Sequence, residues 1–282
     1  MDEMALLKRS GGPVTRSRIS RDLAALGLGR GDVVMFHTRM SAIGYVPGGP
    51  PTVIGALQDV VGPAGTLMVT CGWNDAPPYE SVTWPQEWQD ALRAEHPAYD
   101  ADLSEADHGN GRLPEALRRL PGAVRSRHPD VSFAALGAAA DALMADHPWN
   151  DPHGPGTPLA KLVALGGRVL LLGAPLDTLT LLHHAEALAE APGKRYVDYE
   201  QPVLEDGRRV WRRFHDIDSQ EGAFDYTPVV PEGEEPFAVI ARDMLAAGIG
   251  RRGEVGAAES YLFEAGEAVA FARAWIEGKL AG

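Results

Sequence analysis

An imidazole and a carboxylate three residues apart on one helical face can hold and move a proton, and His183 and Glu186 have that spacing. A carboxylate beside one ring nitrogen selects the tautomer and stabilises the imidazolium formed when the other nitrogen accepts a proton. That is general-base chemistry at near-neutral pH. Spacing alone leaves equally open a packed core histidine next to a solvated glutamate. His184 points about a third of a helical period away, so it is expected to pack or to face solvent. Asp177 lies near the expected helix start, where capping a helix that begins at Thr178 is its commoner role. A capping carboxylate can still face a cation.

Other groups compete with simpler explanations. His37-Thr38-Arg39-Met40-Ser41 follows an apolar run, and its hydroxyls and backbone N–H groups could hold a phosphate or an amide-rich ligand. Thr38 and Ser41 fit ordinary turn residues equally well. Ser126-Arg127-His128-Pro129 sets a hydroxyl, a cation and an imidazole beside a strand, where a structural role for His128 is the simpler reading. Cys71 ends an apolar run and reads as a small buried hydrophobe. Three acidic segments, Trp73-Asn74-Asp75, Glu105-Ala106-Asp107 and Asp216-Ile217-Asp218-Ser219-Gln220-Glu221, could together bind several ammonium groups, with an aromatic face over a sugar ring. Singly, each is an exposed loop. The nine histidines are scattered and no HExxH or CxxC spacing occurs, so no metal is expected.

The elements that must carry these groups alternate between strand and helix patterns. Thr15–Gly29 reads as an amphipathic helix, Val33–His37 as a strand, about Pro51–Val61 as a second helix and Thr66–Cys71 as a second strand. The apolar run at 169–172 breaks at Gly173-Ala174-Pro175 before the His183 helix. Arg195–Phe214 suggests a hairpin turning at Asp206-Gly207. Glu254–Phe263 suggests one last strand between helices at 237–247 and 266–280. The expectation is an α/β fold with a central mixed, partly parallel sheet flanked by helices. Residues 1–282 are expected to form a single domain, with loop-rich excursions at about 73–112 and 198–236.

A chain of 282 residues with 45% hydrophobic and 23% charged residues can bury a sizeable core. Its formal net charge of -13 disfavours nucleic acid and favours cationic small molecules, although acidity for solubility alone explains it as well. No apolar run is long enough to cross a bilayer. The Met1-Asp2-Glu3 start lacks the features of a signal peptide, and a single cysteine suits a reducing compartment, so a cytoplasmic location is expected.

Several ordered motifs together resemble the aminoglycoside 3-N-acetyltransferases, the antibiotic N-acetyltransferase family. They are His37-Thr38-Arg39-Met40-Ser41-Ala42-Ile43-Gly44 with the Gly48-Gly49 loop, Gly62-Pro63-Ala64-Gly65-Thr66-Leu67, Arg125-Ser126-Arg127-His128-Pro129, Thr157-Pro158-Leu159, and Gly173 through Glu186. The likeness runs from about Thr15 to Glu264. It implies an architecture unlike the GNAT acetyltransferases, acetyl-CoA as co-substrate, no metal, and direct acyl transfer to the 3-amine of a 2-deoxystreptamine ring. In that scheme His183 takes the proton and Asp177 or Glu186 orients it. CoA lies along His37, Thr38, Arg39, Met40 and Ser41, with Ser126 and Thr157 as further contacts and Thr38 near the thioester oxygen. The aminoglycoside is then expected to meet Trp73, Asp75, Asp107, Asp216, Asp218 and Glu221; a monomer or homodimer is expected, and the charge and the short apolar runs argue against nucleic acid or membrane as partners. Two rivals remain: a Cys71-dependent arylamine-type acyltransferase, and a non-catalytic binder of cationic antibiotics.

Overall fold

The apolar runs at Val33–Thr38 (β1), Thr66–Thr70 (β2) and Arg168–Leu172 (β5) lie side by side in parallel, with β1 between the other two. The computed structural model describes residues 3–281, so Met1 and Asp2 of the acidic start lie outside it. The remaining strands are Val124–Arg125 (β3), Phe133–Gly137 (β4), Tyr196–Glu205 (β6), Arg208–Ile217 (β7), Arg251–Val255 (β8) and Ala258–Glu264 (β9). Seven of them make one sheet in the order β3-β4-β2-β1-β5-β9-β8, parallel at its centre and antiparallel towards both edges. This is the mixed, helix-flanked α/β sheet expected from the alternation of elements.

Alternation along the central strands feeds two cores. Val34, Phe36, Leu67 and Val69 face helices Arg16–Leu26, Pro50–Val61 and Arg112–Arg118 through Ile19, Leu23, Ile54, Leu57 and Leu117. Met35, Met68, Val169 and Leu171 face the opposite way. There they meet helices Pro158–Ala164, Leu181–Leu188, Pro236–Ala246 and Ala265–Leu280 through Leu162, Leu182, Met244 and Ile276. Leu182 is fully buried, so the helix bearing His183 is fixed to the sheet by a side chain whose truncation to Ala costs about 2–5 kcal/mol.

Three local expectations need correction. The His183 helix begins at Leu181 rather than Thr178, because Leu176–Thr178 first forms a 3₁₀ turn pinned by the Thr178 hydroxyl on the Pro175 carbonyl at 2.6 Å. Asp177 is therefore exposed within that turn and caps no helix. Glu254–Phe263 belongs to two strands, β8 and β9, which turn at Gly256 (φ +66°). β8 is an edge strand rich in charge, which hid it from a hydrophobic pattern. The excursion at 73–112 contains a helix, Gln86–Glu95, with no buried residue.

β6 and β7 form a separate two-stranded sheet, and their turn is at Asp206-Gly207, both with positive φ as a tight two-residue hairpin turn requires. The first excursion docks on this hairpin through Tyr99, whose N–H donates to the Pro202 carbonyl at 2.8 Å.

Candidate active site

β5 ends at Leu172, and Gly173 (φ +67°) turns the chain where a Cβ would stand 2.7 Å from that of Ala42 and 2.9 Å from that of Ala258. Only glycine fits this turn, which launches the segment leading to His183. His183 Nδ1 lies 2.8 Å from Glu186 Oε2, and the other carboxylate oxygen accepts the Tyr226 hydroxyl at 2.8 Å. Glu186 is 1% exposed, whereas the His183 side chain keeps 22% of its surface. The Phe237 ring meets the imidazole edge-on at 4.7 Å between centroids. With Nδ1–H donating to the carboxylate, the Nε2 lone pair is free to take a proton. Burial and the Glu186 charge push the Tyr226 phenol up, so it stays a donor.

Behind His183 stands a second pair. The His153 ring is 5.1 Å from that of His183, and its Nδ1 lies 2.9 Å from Asp216 Oδ2. Burial pushes the His153 imidazole down to about 3 and the Asp216 carboxyl up to about 7. Both shifts favour the uncharged forms, so burial works against an imidazolium–carboxylate ion pair here. His184 packs, donating from Nδ1 to the His153 carbonyl at 2.6 Å.

His183 and Glu186 open onto a cavity of about 860 Å³. Seven carboxylates line it: Asp177, Glu186, Glu221, Asp225, Glu232, Glu234 and Glu235. Their density suits a polycation. One wall, the segment 221–224, hangs from Arg195, whose guanidinium donates to the carbonyls of Glu221, Gly222 and Phe224 at 2.8–3.0 Å. Sequence reasoning found Asp177 and Glu221 but passed over Asp225, Glu232, Glu234 and Glu235, although the acidic run Glu232-Gly233-Glu234-Glu235 was the available signal.

The other expected acidic groups are elsewhere. Asp216 is 2% exposed and engaged with His153, so it offers no face to solvent. Asp218 accepts the Glu221 N–H at 2.9 Å and shapes the turn. Asp107 caps a short 3₁₀ turn by accepting from Gly109 at 2.8 Å. Trp73, packed against Tyr99, and Asp75 line a separate cavity of about 790 Å³ together with Asp100 and Glu105.

A third cavity, about 530 Å³, opens at the carboxyl ends of β1 and β2. His37, Thr38, Arg39, Met40 and Ser41 line it with Thr70, Asn110, Thr178 and Thr180. The side chains of His37, Thr38 and Thr70 each present a buried polar atom without a hydrogen-bond partner among the described residues. Burial pushes the His37 imidazole down to about 4. Ser126 and Thr157 are corrections: both are fully buried and used within the chain. The Ser126 hydroxyl accepts the Phe133 N–H and pairs with His147, and Thr157 caps the Pro158–Ala164 helix. Cys71 is fully buried and its thiol is pushed up to about 12 by burial. Among the described residues no group of three or more His, Cys, Asp or Glu is placed to hold a metal ion. No helix among them is long and apolar enough to cross a membrane.

The family model described as aminoglycoside 3-N-acetyltransferase matches residues 35–277. Aminoglycoside N(3)-acetyltransferase VII of Streptomyces paromomycinus is 78% identical over 280 residues, covering 99% of this chain and 97% of its own. The crystal structure of the aminoglycoside acetyltransferase AAC(3)-Xa matches with a TM-score of 0.98 at 73% identity, covering 99% of this chain and 98% of that one. AAC-IIIb, solved as a binary complex with CoASH, matches with a TM-score of 0.87 at 43% identity, covering 95% and 98%. With a family match across most of its length and such relatives over nearly all of it, the chain belongs to the aminoglycoside 3-N-acetyltransferase family and is an acyltransferase of that kind.

Proposed function

We propose that this enzyme moves the acetyl group of acetyl-CoA directly to the 3-amine of a 2-deoxystreptamine ring, with His183 as general base. The observation that carries the reading is the His183–Glu186–Tyr226 relay, open on one side to a cavity walled by carboxylates. A protonated amine has no lone pair, so attack requires local removal of its proton. His183 Nε2 takes that proton, and Glu186 holds the imidazolium that forms. The amine nitrogen bonds to the acyl carbon, the carbonyl pair moves to oxygen, and collapse expels the CoA thiolate, which takes the second proton that the nitrogen sheds in becoming an amide, while the first leaves His183 to solvent. The carboxylate-lined cavity receives the polycation, and the cavity at β1 receives acetyl-CoA; in AAC-IIIb, a relative so named, CoASH is bound. Neutralising the 3-ammonium as an amide removes a charge from the antibiotic, which is the basis of resistance, and the reaction takes place in the cytoplasm.

Direct transfer is favoured over a thiol-borne acetyl group because the one cysteine is buried and its thiolate disfavoured. Free-thiol release from acetyl-CoA, followed with and without a gentamicin- or kanamycin-type acceptor, tests the reading. Acceptor-dependent release with acetylation at N3 supports it. Tight antibiotic binding without release would replace it with the sequestering binder.

A further inference from the structure

We propose that His37 and Thr70 together hold the thioester carbonyl oxygen and donate hydrogen bonds to it as it becomes an oxyanion. The inference rests on assigning the cavity at β1 to acetyl-CoA.

β1 and β2 run in parallel register, Val33 with Thr66 through Met35 with Met68, and two further residues bring His37 beside Thr70. The outer pairings agree, since His37 sits across from Leu171 and Thr70 across from Phe133, both in the core that holds Leu182 of the His183 helix. Both side chains therefore leave the sheet on the face that carries the base. Thr38 alternates to the opposite face, opposite Leu172 and in line with Phe36, which belong to the other core.

His37 Nε2 and Thr70 Oγ1 are buried and neither has a hydrogen-bond partner among the described residues, so they do not satisfy one another. Two orphaned groups on neighbouring strands, lining one cavity, call for a shared external acceptor. The same cavity reaches Thr180, whose carbonyl accepts the His183 N–H at 3.1 Å. The turn that leads into the base helix thus lines both cavities, through Thr178 and Thr180 on this one and through Asp177 on the acidic one. Because its basicity is depressed by burial, His37 is neutral at pH 7 and acts as an N–H donor without competing for the proton that His183 removes.

As the acceptor nitrogen bonds to the acyl carbon, the carbonyl pair moves onto oxygen, where the His37 Nε2–H and the Thr70 hydroxyl receive it. When that pair returns to carbon, the C–S bond breaks and sulfur leaves as thiolate. No further reactant is needed.

The test compares Thr70→Val and His37→Leu with the donor-preserving Thr70→Ser and His37→Gln in the full enzyme. We expect each donor-deleting change to lower kcat by about 100-fold, the usual effect of losing one oxyanion donor. KM for acetyl-CoA and for the acceptor should stay within about threefold, and the conservative variants should recover most of kcat. Binding of free CoASH, which lacks the carbonyl, should be unchanged by calorimetry. Melting temperature should not fall in Thr70→Val, because no internal partner is lost. The proposal is overturned if Thr70→Val retains full kcat, or if the loss appears as weaker CoASH binding, which would make these groups pantetheine contacts. It is also overturned if Thr70→Ser behaves like Thr70→Val. Wild-type enzyme without acceptor-dependent turnover of acetyl-CoA would instead overturn the proposed function, on which the assignment of the cavity rests.

Discussion

The Nδ1 atom of His183 stands 2.8 Å from Oε2 of Glu186, a carboxylate almost wholly withdrawn from water. The pairing leaves the other ring nitrogen free on a side chain that lines the acidic cavity. His183→Ala is therefore expected to lower kcat by about two to four orders of magnitude, the range for losing a general base. Circular dichroism should show an unchanged fold. A folded variant with normal turnover would remove His183 from the reaction.

Tyr226 holds the other oxygen of Glu186 at 2.8 Å. Tyr226→Phe leaves that carboxylate with one fewer donor in a buried setting, so stability should fall by about 1–3 kcal/mol, measured by urea unfolding. Turnover should decline less than in Glu186→Gln, which removes the negative charge that holds the imidazolium. Equal turnover losses in both variants would mean that Tyr226 does more than brace Glu186.

Buried imidazoles set the acid limit of the fold. His37 and His147 are pushed down to about 4 by burial, and His128 well below its ordinary value. An unfolded chain protonates these rings near pH 6.5, but the folded chain does not. Their contribution to stability is thus complete above pH 6.5 and is lost as pH falls towards about 4. Each adds a slope of at most about 1.4 kcal/mol per pH unit within that window. His147→Asn should lower stability at pH 7, since two ring hydrogen bonds are lost, and flatten the acid slope by about one proton. Unfolding curves from pH 7 to 4.5 measure both effects.

Cys71→Ala should leave acetyl transfer within about twofold of wild type, because a thiol pushed up to about 12 supplies no thiolate at neutral pH. Thiol reagents should modify Cys71 only after unfolding. Abolished transfer in a folded Cys71→Ala enzyme would restore the thiol-acyl route.

Glu221→Gln and Asp177→Asn should each raise the aminoglycoside KM by about three- to tenfold and leave the acetyl-CoA KM unchanged, as expected for carboxylates that meet only the cationic substrate. A parallel rise in both constants would place these residues at the donor side.

The central strands are readable from sequence because each is a short apolar run with a glycine close before it, Gly31, Gly65 and Gly167, and both faces of the sheet are buried. The His183–Glu186 contact was readable because three residues on a helix fix the two side chains on one face. β8 was not, since Arg251, Arg252 and Glu254 on an edge strand look like loop. The fate of Asp216 was hidden for a different reason. Its neighbours Asp218 and Glu221 suggest an exposed acidic turn, while its actual partner, His153, is sixty-three positions away in sequence. Ser126 and Thr157, which the resemblance implies as CoA contacts, are hidden in the same way, because each hydroxyl has an internal partner that the sequence does not show.

Arg195 grips three successive stations of the 221–224 segment from the root of the β6–β7 hairpin, while the base and the His37–Thr70 pair belong to the main sheet and its helix. The two supports meet at Tyr226, a residue of the cavity wall whose hydroxyl holds Glu186 behind the imidazole. On the proposed reading, drift at Glu221, Glu232, Glu234 or Glu235 can retune which drug is accepted, whereas change at Tyr226 would reach the base itself.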